Sequence, residues 1–423
     1  MSLSRLPQLR GAARVPGDKS VAHRALILAG IAGGDSTVSG LPDSLDVLST
    51  RRCLERLGVV FEGTGRAVRV RPPREWTPGA TLDARNSGTT ARLLAGALAG
   101  RRCTATIVGD TSLSGRPMER VAAPLRRLGA QIDLSEGRLP MRVKFATLTP
   151  GFWEATVPSA QVKSAFLLAA LGAGGESSYR EMLPTRDHLE RLLPMFGIPV
   201  RIDEDDWLHV RGGVRAQGAR VAVPGDPSSA AALVVAAALL PGSELIIEGV
   251  MLNPLRLGFL DVLVRMGAEI VVQEDAALHG AESVGSILVR GATELGPAHV
   301  ASAEVPSLID ELPLLVLAAA FTRGESRFDG LAELRVKESD RLEALVDMLD
   351  AIGVPHEQDV DSLVLHGDPD VRQIAAVDAR GDHRLAMVHA ILALRAGLAP
   401  PAEDPCVAVS WPGFHERLRA LVS

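Results

Sequence analysis

Aromatic side chains make up only 3% of this 423-residue chain, leaving little material for the stacking platforms that hold single-stranded nucleic acid or sugars. Cysteine is scarcer. Cys53, Cys103 and Cys406 stand far apart with no C-x-x-C pair, so neither a disulfide framework nor a zinc site is indicated. A reducing cytoplasm is the expected setting. Net positive charge is also missing: 45 basic residues face 51 acidic ones, for a formal charge of -6, and nothing draws the whole molecule to nucleic acid or an anionic membrane. No apolar run is long enough to span a bilayer, Ala230 to Leu240 being typical, and the N-terminus has no apolar signal core. Neither nucleic acid nor membrane is expected as a partner; small polar metabolites fit better.

Lysine is the most informative scarcity. Of the 45 basic residues only Lys19, Lys144, Lys163 and Lys337 are Lys, against 41 Arg. A chain that uses Arg wherever a surface cation will do should keep Lys where a compact ammonium is needed. Lys19, Lys163 and Lys337 sit in polar motifs, whereas Lys144 follows a strand-like segment and reads as ordinary surface.

What is present is ordinary globular material, 47% hydrophobic and 23% charged, enough for about two to four domains. Apolar helices that close on a Gly recur at Leu57-Gly58, Leu128-Gly129, Phe196-Gly197, Met266-Gly267 and Ile352-Gly353, a period of roughly 70 residues. Six such units fill the chain, each reading strand, helix, strand, helix, strand. The first helix of each is apolar nearly all round, as in SGTTARLLAGALAG or SSAAALVVAAALLPG, which predicts helices inside and sheets outside. Val15-Pro16-Gly17-Asp18 recurs as Val223-Pro224-Gly225-Asp226, about half the chain away. The expected architecture is α/β with two lobes of three units each: residues 15–226, and residues 1–14 plus 227–423 carrying both termini. Such a chain is expected to bind its ligands in the cleft between lobes.

Polar motifs gather at the starts of these units. Gly17-Asp18-Lys19-Ser20-x-x-His23-Arg24 puts cations at a Gly-marked helix start, where free N–H groups favour an anion; Asp18 before Lys19 breaks the nucleotide P-loop pattern. Arg85 to Arg92, reading RNSGTTAR, has small residues at another helix N-terminus, and Arg116 lies on a turn suited to clamping a carboxylate or phosphate. Asp310 and Glu311 fall in an apolar segment, where a desolvated carboxylate suits general-base work. Lys337 and Arg341, read on one helix, are repulsive i,i+4 neighbours unless an anion or carboxylate lies between them. Gly381-Asp382-His383-Arg384 opens the sixth unit with a further cation. The set describes an enzyme for two small anions; His188, His209 and His356 are scattered without ligand spacing, and no metal or cofactor is expected.

In order along the chain, VPGDKSVAHRA, NSGTTARLL, GDTSLSGRPM, PSAQVKSA, PTRDHLERLL, VPGDPSSAA, IDELPLL, LRVKESDRL and GDHRLAM resemble the enolpyruvyl transferases named 3-phosphoshikimate 1-carboxyvinyltransferases, or 5-enolpyruvylshikimate-3-phosphate synthases. The resemblance implies an inside-out α/β barrel in each lobe, a monomer, and a place in aromatic amino acid biosynthesis. It implies that Lys19, Ser20, Arg24, Ser159, Ala160, Gln161, Arg186, Asp310, Glu333 and Lys337 hold shikimate 3-phosphate. Phosphoenolpyruvate would meet Lys19, Asn86, Gly88, Arg116, Gln161, Arg341 and Arg384. Asp310 would accept the proton of the substrate hydroxyl, with Lys19 and Glu338 moving protons at the methylene carbon. Gly88 implies room for the inhibitor glyphosate. The chain departs from some relatives in three places: Ala160 replaces a Ser, Glu333 an Asn, and Ala408-Val409-Ser410-Trp411-Pro412 lacks a C-terminal Lys. Two alternatives remain, a sibling transferase acting on UDP-N-acetylglucosamine and a non-catalytic repeat scaffold. The sibling's reactive Cys is missing between Gly109 and Gly115, and a scaffold gains nothing from acids in apolar settings.

Overall fold

The computed structural model describes residues 6–276, 280–371, 374–399 and 401–423. The chain forms two compact units. One, here the terminal unit, comprises Met1–Pro16, Pro224–His279 and Ser283–Ser423; the other, the central unit, comprises Gly17–Val223 with Gly280–Glu282. Val15, Pro16 and Pro224 to Asp226 thus go with the terminal unit, and a short segment far along the chain joins the central one.

The described residues form five four-stranded sheets. In three of them the first strand in the chain runs parallel to the second across a buried helix, the second is antiparallel to the fourth, and the third pairs only with the fourth; in the other two the parallel edge strand, Arg10–Arg14 or Arg220–Ala222, comes from a distant part of the chain. In the central unit, Ala80–Asp83 pairs with Ala105–Val108, which pairs with Arg138–Lys144, which pairs with Gln131–Ser135. The repeat therefore has one more strand than the sequence pattern predicts, because the last segment is a hairpin turning at Glu136-Gly137, both at positive φ. The expected sixth unit differs more: among the described residues it contributes the helices His383–Arg395 and Phe414–Leu421 but no sheet.

At the two Val-Pro-Gly-Asp repeats the chain exchanges units. Arg10–Arg14, just before the first repeat, pairs with Glu244–Met251 of the terminal unit, while Arg220–Ala222, just before the second, pairs with Ser36–Ser39 of the central unit. A parallel pair needs a long crossover, and both crossovers here run through most of the central unit.

The first helix of each repeat is buried, as its all-round apolarity requires. Every residue of Pro227–Leu239 and Leu312–Ala320 is buried, whereas strands such as Ala67–Arg71 alternate exposed and buried positions and keep one face to solvent. Small residues let these helices approach closely. Gly88–Gly100 and Ala160–Ala170 lie so near that a Cβ added at Gly96 would overlap the backbone of Ala165, and one at Gly100 would overlap Leu168. That approach fixes the N-terminal ends of both helices beside each other, where the polar motifs begin.

Candidate active site

In the central unit three buried helices present their N-termini with polar side chains. Asp18 caps Lys19–Ile31 by accepting from the Val21 N–H at 2.7 Å, Ser87 caps Gly88–Gly100, and Ser159 caps Ala160–Ala170. These caps satisfy part of each helix end and leave backbone donors and a positive dipole end for an anion. Lys19, the first helical residue, pairs with Asp46 at 2.9 Å. Arg24 is buried one turn later and donates to Ser164 Oγ at 2.9 and 3.1 Å, to the Ala160 carbonyl at 3.3 Å and to the Ser20 carbonyl at 2.9 Å. It thereby ties the Lys19 helix to the Ser159 helix.

Gly88 begins its helix between two guanidinium groups. A Cβ there would stand 3.3 Å from Nη1 of both Arg92 and Arg116. Arg116 donates to the Asn86 side-chain carbonyl at 2.7 Å, and the Asn86 amide donates to Asp110 at 2.9 Å. Arg92 donates to Gln161 Oε1, and Gln161 donates to Thr89 Oγ1 at 2.9 Å. Lys19, Arg24, Arg92 and Arg116 thus supply four cations in one unit, each side chain held by named partners. His23 stays neutral: burial, then the neighbouring Lys19 and Arg24, push its pKa down to about 3. It contacts Thr50 at 2.7 Å, and Thr50 contacts Thr90 at 2.7 Å, a buried relay joining three helices.

The terminal unit carries the acids. Arg341 is wholly buried at the start of helix Arg341–Ile352 and meets three carboxylates: Asp382 at 2.8 Å, Glu338 at 2.6 Å and Asp310 at 3.4 Å. Burial alone would lower its pKa, but Asp382, Glu338 and Asp310 outweigh that and raise it. Asp382 is held below the usual carboxylate range, because Arg341 overcomes the burial that opposes ionisation. Arg384 reaches Asp310 at 3.4 Å, and its backbone N–H donates to Asp382 at 2.9 Å. Two expectations are corrected here. Asp310 is only half-buried and lies against two guanidiniums, while the fully buried acid is Glu311, which accepts from Ser228 Oγ. Lys337 and Arg341 do not share a helix: Lys337 ends the 3-10 turn Ala332–Val336 in extended conformation, and Asp340 caps the helix that Arg341 begins.

The sequence model of the EPSP synthase (3-phosphoshikimate 1-carboxyvinyltransferase) family matches residues 4–418. The chain belongs to the EPSP synthase family. It is 44% identical, over 100% of its length and 98% of the relative's, to the 3-phosphoshikimate 1-carboxyvinyltransferase of Lactiplantibacillus plantarum (strain ATCC BAA-793 / NCIMB 8826 / WCFS1). It is 43% identical to that of Rhodospirillum rubrum, covering 98% of this chain and 95% of that one. The solved EPSP synthase of Acinetobacter baumannii superposes with a TM-score of 0.84 at 35% identity, covering 99% and 96% of the two chains. The chain is thus an enzyme of the EPSP synthase family, and no helix among its described residues is long and apolar enough to cross a membrane.

Within that EPSP synthase frame, the central unit holds Lys19, Ser20, Arg24, Asn86, Gly88, Arg116, Ser159, Ala160, Gln161 and Arg186, and the terminal unit holds Asp310, Glu333, Lys337, Glu338, Arg341 and Arg384. Sequence reasoning assigned no role to Asp46, Arg92 or Asp382. Arg92 and Asp382 stand inside motifs already singled out; Asp46 has no local signal, since its partner Lys19 is 27 residues away. Lys163, one of the three lysines in polar motifs, is paired with Glu181 at 2.7 Å and Glu190 at 2.8 Å. The C-terminal segment without a Lys offers apolar packing, the Trp411 and Phe414 rings lying 5.2 Å apart. All three cysteines are thiols whose pKa burial pushes up, Cys53 and Cys406 to about 12. Asp187, His188 and Glu282 bring three potential ligand atoms within 4.8 Å of one another. Arg191 already lies 2.8 Å from Asp187 and 3.6 Å from Glu282, supplying the charge a cation would bring.

Proposed function

We propose that the protein transfers the enolpyruvyl group of phosphoenolpyruvate to the 5-hydroxyl of shikimate 3-phosphate. The hydroxyl oxygen bonds to the enol carbon while the methylene carbon gains a proton, giving a tetrahedral intermediate. Loss of phosphate and of a methyl proton then restores the double bond. What carries the reading is the Arg341 cluster, where two acids, Asp310 and Glu338, are oriented by one buried guanidinium in a chain matched over residues 4–418 to this family.

Lys19, Ser20, Arg24, Ser159, Ala160, Gln161, Arg186, Glu333 and Lys337 hold shikimate 3-phosphate, with Asp310 accepting its hydroxyl proton. Lys19, Asn86, Gly88, Arg116, Gln161, Arg341 and Arg384 hold phosphoenolpyruvate; anchored guanidiniums suit its carboxylate and phosphate because their forks match both geometries. With Ala408 to Pro412 lacking a cation, these groups carry the anion alone. Lys19 and Glu338 are assigned the proton transfers at the methylene carbon. We also infer that the buried helices and one-faced sheets close as an inside-out barrel, and that the enzyme works as a cytoplasmic monomer, its unpaired cysteines suiting a reducing compartment.

Asp310→Asn and Glu338→Gln test the assignments. Each should lower kcat by about 100-fold or more while leaving KM values within a few-fold, the usual scale for a lost general base. A variant with near-normal kcat removes that residue from the chemistry.

A further inference from the structure

Lys163 is one of four lysines in a chain with 41 arginines, and the functional reading leaves it without a role. Its side chain is 5% exposed, on the helix that carries Ala160 and Gln161. The ammonium donates to Glu181 at 2.7 Å, lies 2.8 Å from Glu190 and donates to the Thr185 carbonyl at 3.1 Å. Three partners in three directions suit the three N–H donors of an ammonium and not a planar guanidinium. Glu181 in turn accepts from the Thr185 N–H and from Thr185 Oγ1, both at 2.7 Å. Thr185 is therefore gripped at its N–H, its hydroxyl and its carbonyl, and the next residue is Arg186.

The other side of Arg186 is fastened too. Asp187 pairs with Arg191 at 2.8 Å, and His188 with Glu282 at 2.6 Å. The buried Lys163 network on one side and the Asp187–Arg191 and buried His188–Glu282 pairs on the other thus flank a half-buried arginine in the non-helical run Met182 to Arg186. A loop held only by its own backbone would lose such an arginine's geometry to conformational freedom.

We propose that Lys163 is a positioning residue for shikimate 3-phosphate: through Glu181 and Thr185 it holds Arg186 in its binding geometry. The inference rests on the reading that Arg186 binds that substrate. Loss of the clamp raises the KM for shikimate 3-phosphate and leaves phosphoenolpyruvate, which Arg186 does not touch, unaffected.

The test is steady-state kinetics of Lys163→Met, Lys163→Arg and Thr185→Val in the full chain, varying each substrate in turn. Lys163→Met and Lys163→Arg should each raise the KM for shikimate 3-phosphate about tenfold or more, with the KM for phosphoenolpyruvate within about twofold and kcat within about threefold. Failure of Lys163→Arg to rescue is the mark of a three-directional clamp. Full rescue by Lys163→Arg, or an equal rise in both KM values, overturns the proposal. Thr185→Val keeps every charge and removes one hydroxyl, so it tests the clamp even if Lys163→Met fails to fold; it should raise the same KM about threefold or more, and an unchanged KM there also overturns the proposal. If the wild-type enzyme itself shows no turnover with shikimate 3-phosphate, the functional reading fails and this inference falls with it. Normal wild-type turnover with indifferent variants overturns this inference alone.

Discussion

At the residue scale, the active-site reading depends on side chains whose freedom has been removed. Gly88 is the tightest case. An Ala there places its Cβ against Arg92 and Arg116, and both guanidiniums must give by a few tenths of an ångström, enough to misalign a bidentate contact. Gly88→Ala should raise the KM for phosphoenolpyruvate several-fold more than that for shikimate 3-phosphate, and weaken inhibition by glyphosate. Equal effects on both substrates in steady-state kinetics would contradict the placement. Lys337→Met should lose most turnover while keeping the wild-type circular dichroism spectrum, because Lys337 lies in an extended, half-buried stretch and supports no helix.

Histidines kept neutral by burial make stability fall in mild acid. The pKa of His23 is lowered to about 3 by burial, Lys19 and Arg24; that of His389 falls to about 4, burial outweighing Asp378 and Asp404. Between these values and the unfolded value of about 6.5, the unfolded chain binds protons that the folded one refuses, so stability is full above that range and falls as pH drops. Urea unfolding at pH 5 rather than 7 should show a loss of about 2 kcal/mol per histidine. His23→Gln should remove one share of that slope; an unchanged slope would mean that His23 charges freely in the folded state.

At the element scale, the buried helices were legible because apolarity on all faces has only one physical outcome, and their starts because Asp18, Ser87, Ser159 and Asp382 are strong caps. Two features were not. The hairpin Gln131–Ser135 with Arg138–Lys144 reads as one strand-like stretch unless the turn at Glu136-Gly137 is recognised. The break between Lys337 and Arg341 is hidden by helix-forming residues on both sides, although Asp340 followed three residues later by Glu343 has the spacing of a capping box. Helix contact itself is testable at Gly96, where a side chain would meet the Ala165 backbone. Gly96→Val should lower stability by about 1–3 kcal/mol in chemical denaturation, and raise KM values by displacing Arg92 from Gln161. Unchanged stability would mean the two helices separate without cost.

At the scale of the whole molecule, the duplicated Val-Pro-Gly-Asp motif revealed two units, but not that the strand just before each motif completes a sheet with a strand about 180 residues or more away. Nothing local encodes that Arg10–Arg14 pairs with Glu244–Met251, since a parallel partner is chosen by tertiary packing. The same holds for Glu282, which lies beyond the second motif yet binds His188 in the central unit. Function was more legible than connectivity because its residues cluster at helix starts, where the motif and the chemistry share one short stretch of chain.

The central claim is enolpyruvyl transfer to shikimate 3-phosphate, and its most direct test is phosphate release from phosphoenolpyruvate, without added metal or nucleotide cofactor, in the presence of either shikimate 3-phosphate or UDP-N-acetylglucosamine. Release only with shikimate 3-phosphate is the predicted result. Release only with the sugar nucleotide, or with neither acceptor, would contradict the account.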